Sequence, residues 1–158
     1  MGERPAIVIV GAGIAGLTAA LAIADAGFRV IVAERSAELL EIGAGIQLSP
    51  NAGRVLAGLG LDDAIAAAAT VPAAIAVRNG VTGGTTATIA VASFAERYRF
   101  PYRVIHRADL QAVLVAAVRR HPGVRLLLAT EIEDVLPRDD GLYVRLRHRD
   151  DREIVGAA

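Results

Sequence analysis

At 158 residues, with a formal net charge of +0 and a pI ≈ 6.8, the chain is long enough to bury a core and gives no electrostatic case for nucleic acid or an anionic membrane. It has no cysteine, which excludes disulfides, thiolate nucleophiles and cysteine-based zinc sites, and its three scattered histidines form no metal-ligand cluster. Apolar residues make up 54% of it, aromatics only 4%, and mean hydropathy is +0.45, which is rich for a water-soluble chain without being membrane-like throughout.

Ala6 to Ala24 carries no charge and is long enough to span a bilayer. With Arg4 before it and "AIADA" after it, the stretch also imitates a secretory signal. Both readings require one continuous helix, and the residue pattern opposes that. Ala6–Val10 is β-rich, Gly-Ala-Gly follows, and then Leu17, Leu21 and Ala24 recur at helical spacing. After Gly27 a second β-type run, Phe28 to Glu34, begins. Strand, glycine turn, helix and strand within about 30 residues make a βαβ unit. Strands buried on both faces account for the unbroken hydrophobicity.

"SAELLEIGAGIQLSP" then reads as a loop with a short helical start. Ser49-Pro50 is an N-cap followed by N1, so "NAGRVLAGLGL" is helical to about Gly60. A second, alanine-rich helix covers Asp62–Ala69 and ends before Pro72. "AAIAVRNGVTGGTTATIAV" predicts two strands around Asn79-Gly80, and "SFAERYRFPY" predicts a loop. "HRADLQAVLVAAVRRHPG" is an amphipathic helix, with Arg119 and Arg120 in its last turn and His121-Pro122-Gly123 as its stop. Four strands close the chain, with "RDDG" as a hairpin turn. The expected fold is α/β and Rossmann-like: a parallel sheet with helices and a small antiparallel β-meander. Ala6–Val10, Val30–Ala33, Val124–Leu128 and Glu153–Val155 are expected in the parallel sheet, and Glu131–Pro137 with Leu142–Arg147 in the meander.

Gly11, Gly13 and Gly16 match GxGxxG between a strand and a helix. The first glycine makes the tight turn, and the second lets a pyrophosphate reach the backbone. The third lets helix and strand pack closely, while the helix N-terminus, here Ile14 and Ala15, faces the phosphates. Glu34 ends the second strand about 20 residues on, where a carboxylate accepts hydrogen bonds from an adenosine ribose diol. These residues point to a dinucleotide but do not separate FAD from NAD, which share the ADP half.

Two further stretches separate them. "GAGIAGLTAALAIADAGFRVIVAER", "EIGAGIQLSPNAGRVLAGLGL" and "YRVIHRADLQAVL", in that order, resemble the single-component flavin-dependent aromatic hydroxylases, the group A flavoprotein monooxygenases, with the salicylate and 3-hydroxybenzoate hydroxylases as the nearest branch. The resemblance implies FAD as cofactor and NAD(P)H as co-substrate. It also implies a small aromatic substrate hydroxylated with O₂, no nucleic-acid or membrane partner, and a cytoplasmic location. Residue by residue, it implies that Arg35 flanks the adenosine and that Gly45, Ile46 and Gln47 run past the isoalloxazine and substrate. Arg107 contacts the ribityl–phosphate portion, and Ile132 packs against adenine. No catalytic residue is assigned, because in this chemistry the cofactor reacts while the protein positions and desolvates it. His106, His121 and His148 read as structural.

Set against the family, "REIVGAA" falls before the Asp-Gly and Gly-Asp motifs that complete a discontinuous flavin site. Residues 1–158 are therefore expected to be the N-terminal part of a FAD-binding domain, truncated before the substrate domain, inactive alone and open to association through exposed apolar surface. Two alternatives remain at this point: a non-catalytic nucleotide-binding fragment, and an NAD-dependent dehydrogenase domain.

Overall fold

The computed structural model describes residues 6–39, 43–148 and 151–157. In chain order the first elements are β1 (Ile7–Val10), α1 (Ile14–Asp25), β2 (Val30–Ala33), β3 (Gly45–Leu48), α2 (Pro50–Gly58) and α3 (Asp62–Ala68). Next come β4 (Ala74–Arg78), β5 (Thr85–Ala90), α4 (Phe94–Tyr98), β6 (Arg103–His106) and α5 (Arg107–Arg120). The chain ends in β7 (Val124–Leu127), β8 (Thr130–Arg138), β9 (Gly141–His148) and β10 (Asp151–Ala157). They fall into two compact units, Met1–Glu41 with Gln111–Ala158, and Ile42–Leu110.

The first unit is built on the βαβ segment. β1, β2 and β7 form a parallel sheet in the order β1-β2-β7, with Ile7 opposite Val30 and Val30 opposite Val124. The central strand β2 is buried at all four residues, the state a strand covered on both faces must reach. One face receives α1, which buries Leu17, Ala20, Leu21 and Ala24. On the other face Ile31 and Ala33 pack with Val144 and Leu146 of the meander. α1 stops where Gly27 takes φ +91, with the Gly27 N–H on the Ala24 carbonyl and the Phe28 N–H on the Ile23 carbonyl. That is a Schellman motif, and the positive φ is why glycine occupies the position. Among the described residues no helix is long and apolar enough to cross a membrane.

Glu153–Val155 departs from expectation. These residues lie in β10, which pairs antiparallel with β9 in the sheet β10-β9-β8 and not with the parallel strands. β9 ends at His148 and β10 begins at Asp151. A connection that short permits only an antiparallel return, since a parallel partner needs a crossover of a dozen or more residues. One parallel bridge, Ala6 to Ala157, joins the end of β10 to the start of β1.

The second unit pairs β3 antiparallel with β6, buries Leu56 of α2, Ile65 of α3 and Leu61 at the N-cap of α3, and carries the β4–β5 hairpin. Arg103 of β6 is 8% exposed and is held by the Asp62 carboxylate at the start of α3. Three local expectations are corrected here. Gly45–Leu48, expected as loop, is strand β3, because β6 supplies its partner. β6 itself was not expected: it runs into α5 without a glycine or proline, so nothing in the sequence marks the change of period. Phe94–Tyr98, expected as loop, is a short helix in which Phe94 and Tyr98 meet edge-to-face at 5.2 Å, an i,i+4 contact that a helical turn brings about. The helical start expected after Arg35 is not seen over Ser36–Leu39; residues 40–42 lie outside the described residues.

Candidate nucleotide-binding site

The glycine turn opens α1. Gly11 sits at φ +95, a conformation residues with a side chain rarely adopt, and its N–H donates to the Ala33 carbonyl at 2.8 Å, which ties the turn to β2. Gly13 is the N-cap of α1 with ordinary extended dihedrals, and a Cβ built there meets nothing within 4 Å. Gly16 is the opposite case: a Cβ there would overlap the Gly11 carbonyl oxygen and come within 3.4 Å of Ile9 Cγ2. Close packing needs Gly16, whereas the space in front of Gly13 is open. The first turn of α1, where Ile14 is half-buried and Ala15 exposed, carries no acidic residue, so the helix does not neutralise its own positive end.

Glu34 lies beside that turn. Its Oε2 accepts the Ala12 N–H at 2.9 Å, and its Oε1 accepts the Ser36 N–H at 2.9 Å. Burial opposes the charge, but the hydrogen bonds from Ser36 and Ala12 and the Arg35 charge outweigh it, and the carboxyl is held below its usual range. Ser36 also reaches it through its side chain, so three of its roughly four lone-pair positions are used and acceptor capacity remains for a ribose hydroxyl. A carboxyl lowered by folding contributes stability above its unfolded pKa and loses it as pH falls through the folded value. Glu34→Gln is therefore expected to destabilise the chain at neutral pH, with the difference from wild type shrinking as pH drops below the ordinary carboxylate range. Urea unfolding at several pH values checks this, and a pH-independent difference would contradict it.

Gly11, Glu34, Arg35 and Ile132 line one cleft of ≈ 390 Å³, together with Val10 and Thr130. Across Glu34, a smaller cavity of ≈ 150 Å³ is bounded by Ala12, Gly13, Ser36 and Gln111. An open second glycine, a positive helix end and a carboxylate with spare acceptor capacity fit a nucleotide diphosphate. Sequence reasoning missed Gln111, a buried residue whose amide donates to the Ala12 carbonyl at 3.3 Å. Its one available sign was a glutamine among the apolar residues of α5.

The remaining site candidates gather in the second unit. Gly45, Ile46 and Gln47 form β3, and Arg107 opens α5 directly after β6, with Gly45 opposite His106 in the ladder. The Arg107 N–H reaches the Ala44 carbonyl at 3.4 Å, and a Cβ on Gly43 would lie 3.1 Å from Arg107 Cβ. Residues more than 60 positions apart thus share one surface, with Gly45, Gln47 and Arg107 exposed and Ile46 half-buried. Two of the histidines, His121 and His148, hold structural places. His121 Nδ1 accepts the Gly123 N–H at 3.0 Å after α5, and His148 lies 3.1 Å from Thr130 Oγ1. Among the described residues no group of histidines and carboxylates could hold a metal.

The family described as FAD binding domain matches residues 4–157. The chain is 46% identical over 111 residues to the 3-amino-4-hydroxybenzoate 2-monooxygenase of Streptomyces cremeus, covering 70% of this chain and 28% of that protein. It is 41% identical over 129 residues to 3-hydroxybenzoate 6-hydroxylase 1 of Aquipseudomonas alcaligenes, covering 81% and 33%. Among solved structures, p-nitrophenol 4-monooxygenase from Pseudomonas putida DLL-E4 superposes with a TM-score of 0.86 at 25% identity, over 99% of this chain and 40% of that one. The chain spans about a third of the length of these curated relatives.

Proposed function

Because the chain belongs to the FAD binding domain family, we propose that it supplies the adenosine and diphosphate end of the FAD site in an NAD(P)H-dependent monooxygenase that hydroxylates a hydroxybenzoate-like ring. The observation that carries this reading is the arrangement of Gly13, the positive end of α1 and Glu34 around open space. Glu34 would accept a ribose hydroxyl, and the N–H groups at Gly13, Ile14 and Ala15 would hold the diphosphate. Ile132 and Arg35 would bound the adenine. In the second unit, Arg107 would hold the ribityl–phosphate portion, with Gly45, Ile46 and Gln47 lining the ring end. Bound there, FAD supplies the redox chemistry that couples NAD(P)H oxidation to O₂ activation.

Ring-end residues that are exposed cannot exclude water, and oxygen transfer needs a dry site. Given FAD, NADH, O₂ and salicylate or 3-hydroxybenzoate, the 158-residue chain is expected to retain flavin and to form hydrogen peroxide without a dihydroxylated product. Chromatography of the reaction decides this, and product formed in proportion to NADH consumed would contradict it. A chimera tests the monooxygenase reading itself: this chain replaces the matching segment of the A. alcaligenes hydroxylase. Retained flavin and coupled hydroxylation are expected, and a chimera that folds without binding flavin would refute the reading.

A further inference from the structure

Helix α5 is apolar where it is buried: Leu110, Leu114 and Val118 are at most 1% exposed. Gln111 lies on the same helix at 5% exposure, where a leucine would bury without the cost of desolvating an amide. Its Nε2–H crosses 99 positions of sequence to the carbonyl of Ala12, which is fully buried between Gly11 and Gly13. The N–H of that same alanine is held by Glu34. Side chains from two distant parts of the chain therefore hold both polar atoms of one residue in the glycine turn.

The peptide joining Ala12 to Gly13 is planar, with its C=O and N–H pointing in opposite directions. Glycine on its far side rotates at little steric cost, and nothing packs against the Cβ direction of Gly13. The Gln111 hydrogen bond to the Ala12 carbonyl opposes a flip of this peptide. We propose that Gln111 is a positioning residue for phosphate binding. By anchoring the Ala12 carbonyl it fixes the direction of the Gly13 N–H, and with it the donor set at the start of α1. It contacts the turn and not the phosphate. This inference rests on the FAD-site reading above and extends it to a residue outside the glycine motif.

The test uses the 158-residue chain with ADP and adenosine as probes. Gln111→Met keeps length and burial but has no donor. It is expected to weaken ADP binding about tenfold and adenosine binding less than twofold, because adenosine has no phosphate to position. The Gly13 amide signal of the ligand-free variant should shift or broaden as its peptide samples two orientations. Gln111→Asn holds its amide short of the carbonyl, should give the same split, and serves if Gln111→Met does not fold. Unchanged ADP affinity, or equal losses for ADP and adenosine, overturns the proposal. Gly13→Val, measured alongside, separates the two levels. If it too binds ADP normally, the FAD-site reading fails; if it alone loses ADP, only the role of Gln111 fails.

Discussion

Gly16→Ala is expected to cost about 3 kcal/mol of stability, and Gly16→Val to leave no cooperatively folded protein. Helix propensity works the other way, since alanine is favoured over glycine inside a helix by about 1 kcal/mol. The steric term wins because the new Cβ meets the Gly11 carbonyl oxygen, part of the backbone of a turn that is itself bonded to Ala33. A side chain in that place could rotate away, but a backbone carbonyl in a turn held to β2 through the Gly11 N–H cannot. Relieving the overlap means moving α1 off the sheet, which would uncover Leu17, Ala20, Leu21 and Ala24. Burial of each leucine there is worth about 2 kcal/mol. Typical domain stability is only about 5–15 kcal/mol, so valine should exhaust it. Thermal unfolding followed by circular dichroism reads the effect, and a melting temperature unchanged in Gly16→Ala would show that helix and strand are not in contact there.

Gly13→Val should invert that outcome, with the fold surviving and FAD binding lost by about 100-fold or more, equivalent to about 2.7 kcal/mol. The native dihedrals at Gly13, φ −72 and ψ 176, suit a β-branched residue, and a Cβ meets nothing within 4 Å. The stability cost is then about 1 kcal/mol, for exchanging glycine for valine at an N-cap. The ligand loses more, because the isopropyl group fills the space through which a phosphate approaches the helix end. The two glycines stand three positions apart in one motif, yet the protein's own backbone demands Gly16 and places no such demand on Gly13, where the proposed ligand would impose it. Measuring melting temperature and FAD affinity on both variants separates these roles. Equal affinity in wild type and Gly13→Val would remove the glycine turn from the site.

The βαβ segment was legible because each boundary carries its own chemical mark: β-branched runs at 7–10 and 30–33, and glycines at Gly11 and Gly27 with positive φ. Local marks were absent elsewhere. β3 and β6 are four-residue strands whose partners lie more than 50 positions away, so neither shows a period long enough to read alone. In β10 the β-type composition was visible, but the choice between parallel and antiparallel pairing depends on connection length. The spacing of Gly11, Gly13, Gly16 and Glu34 could be read locally and is what the proposed dinucleotide site rests on, although those residues did not distinguish FAD from NAD. The order of three separated motifs made that distinction. Gln111 stayed hidden because its importance comes from a hydrogen bond across 99 positions, which no spacing rule encodes.

The central claim is that the turn from Gly11 to Gly16, with Glu34, takes the ADP half of FAD. Competition against bound FAD, followed by chromatographic quantification of the FAD left on the protein, tests it most directly with two displacers, ADP and FMN. ADP carries the adenosine and diphosphate without the ring, and FMN carries the ring and a single phosphate without adenosine. ADP is expected to displace FAD from the 158-residue chain and FMN to leave it bound. Displacement by FMN with no effect of ADP would place the binding energy at the ring end and contradict the account.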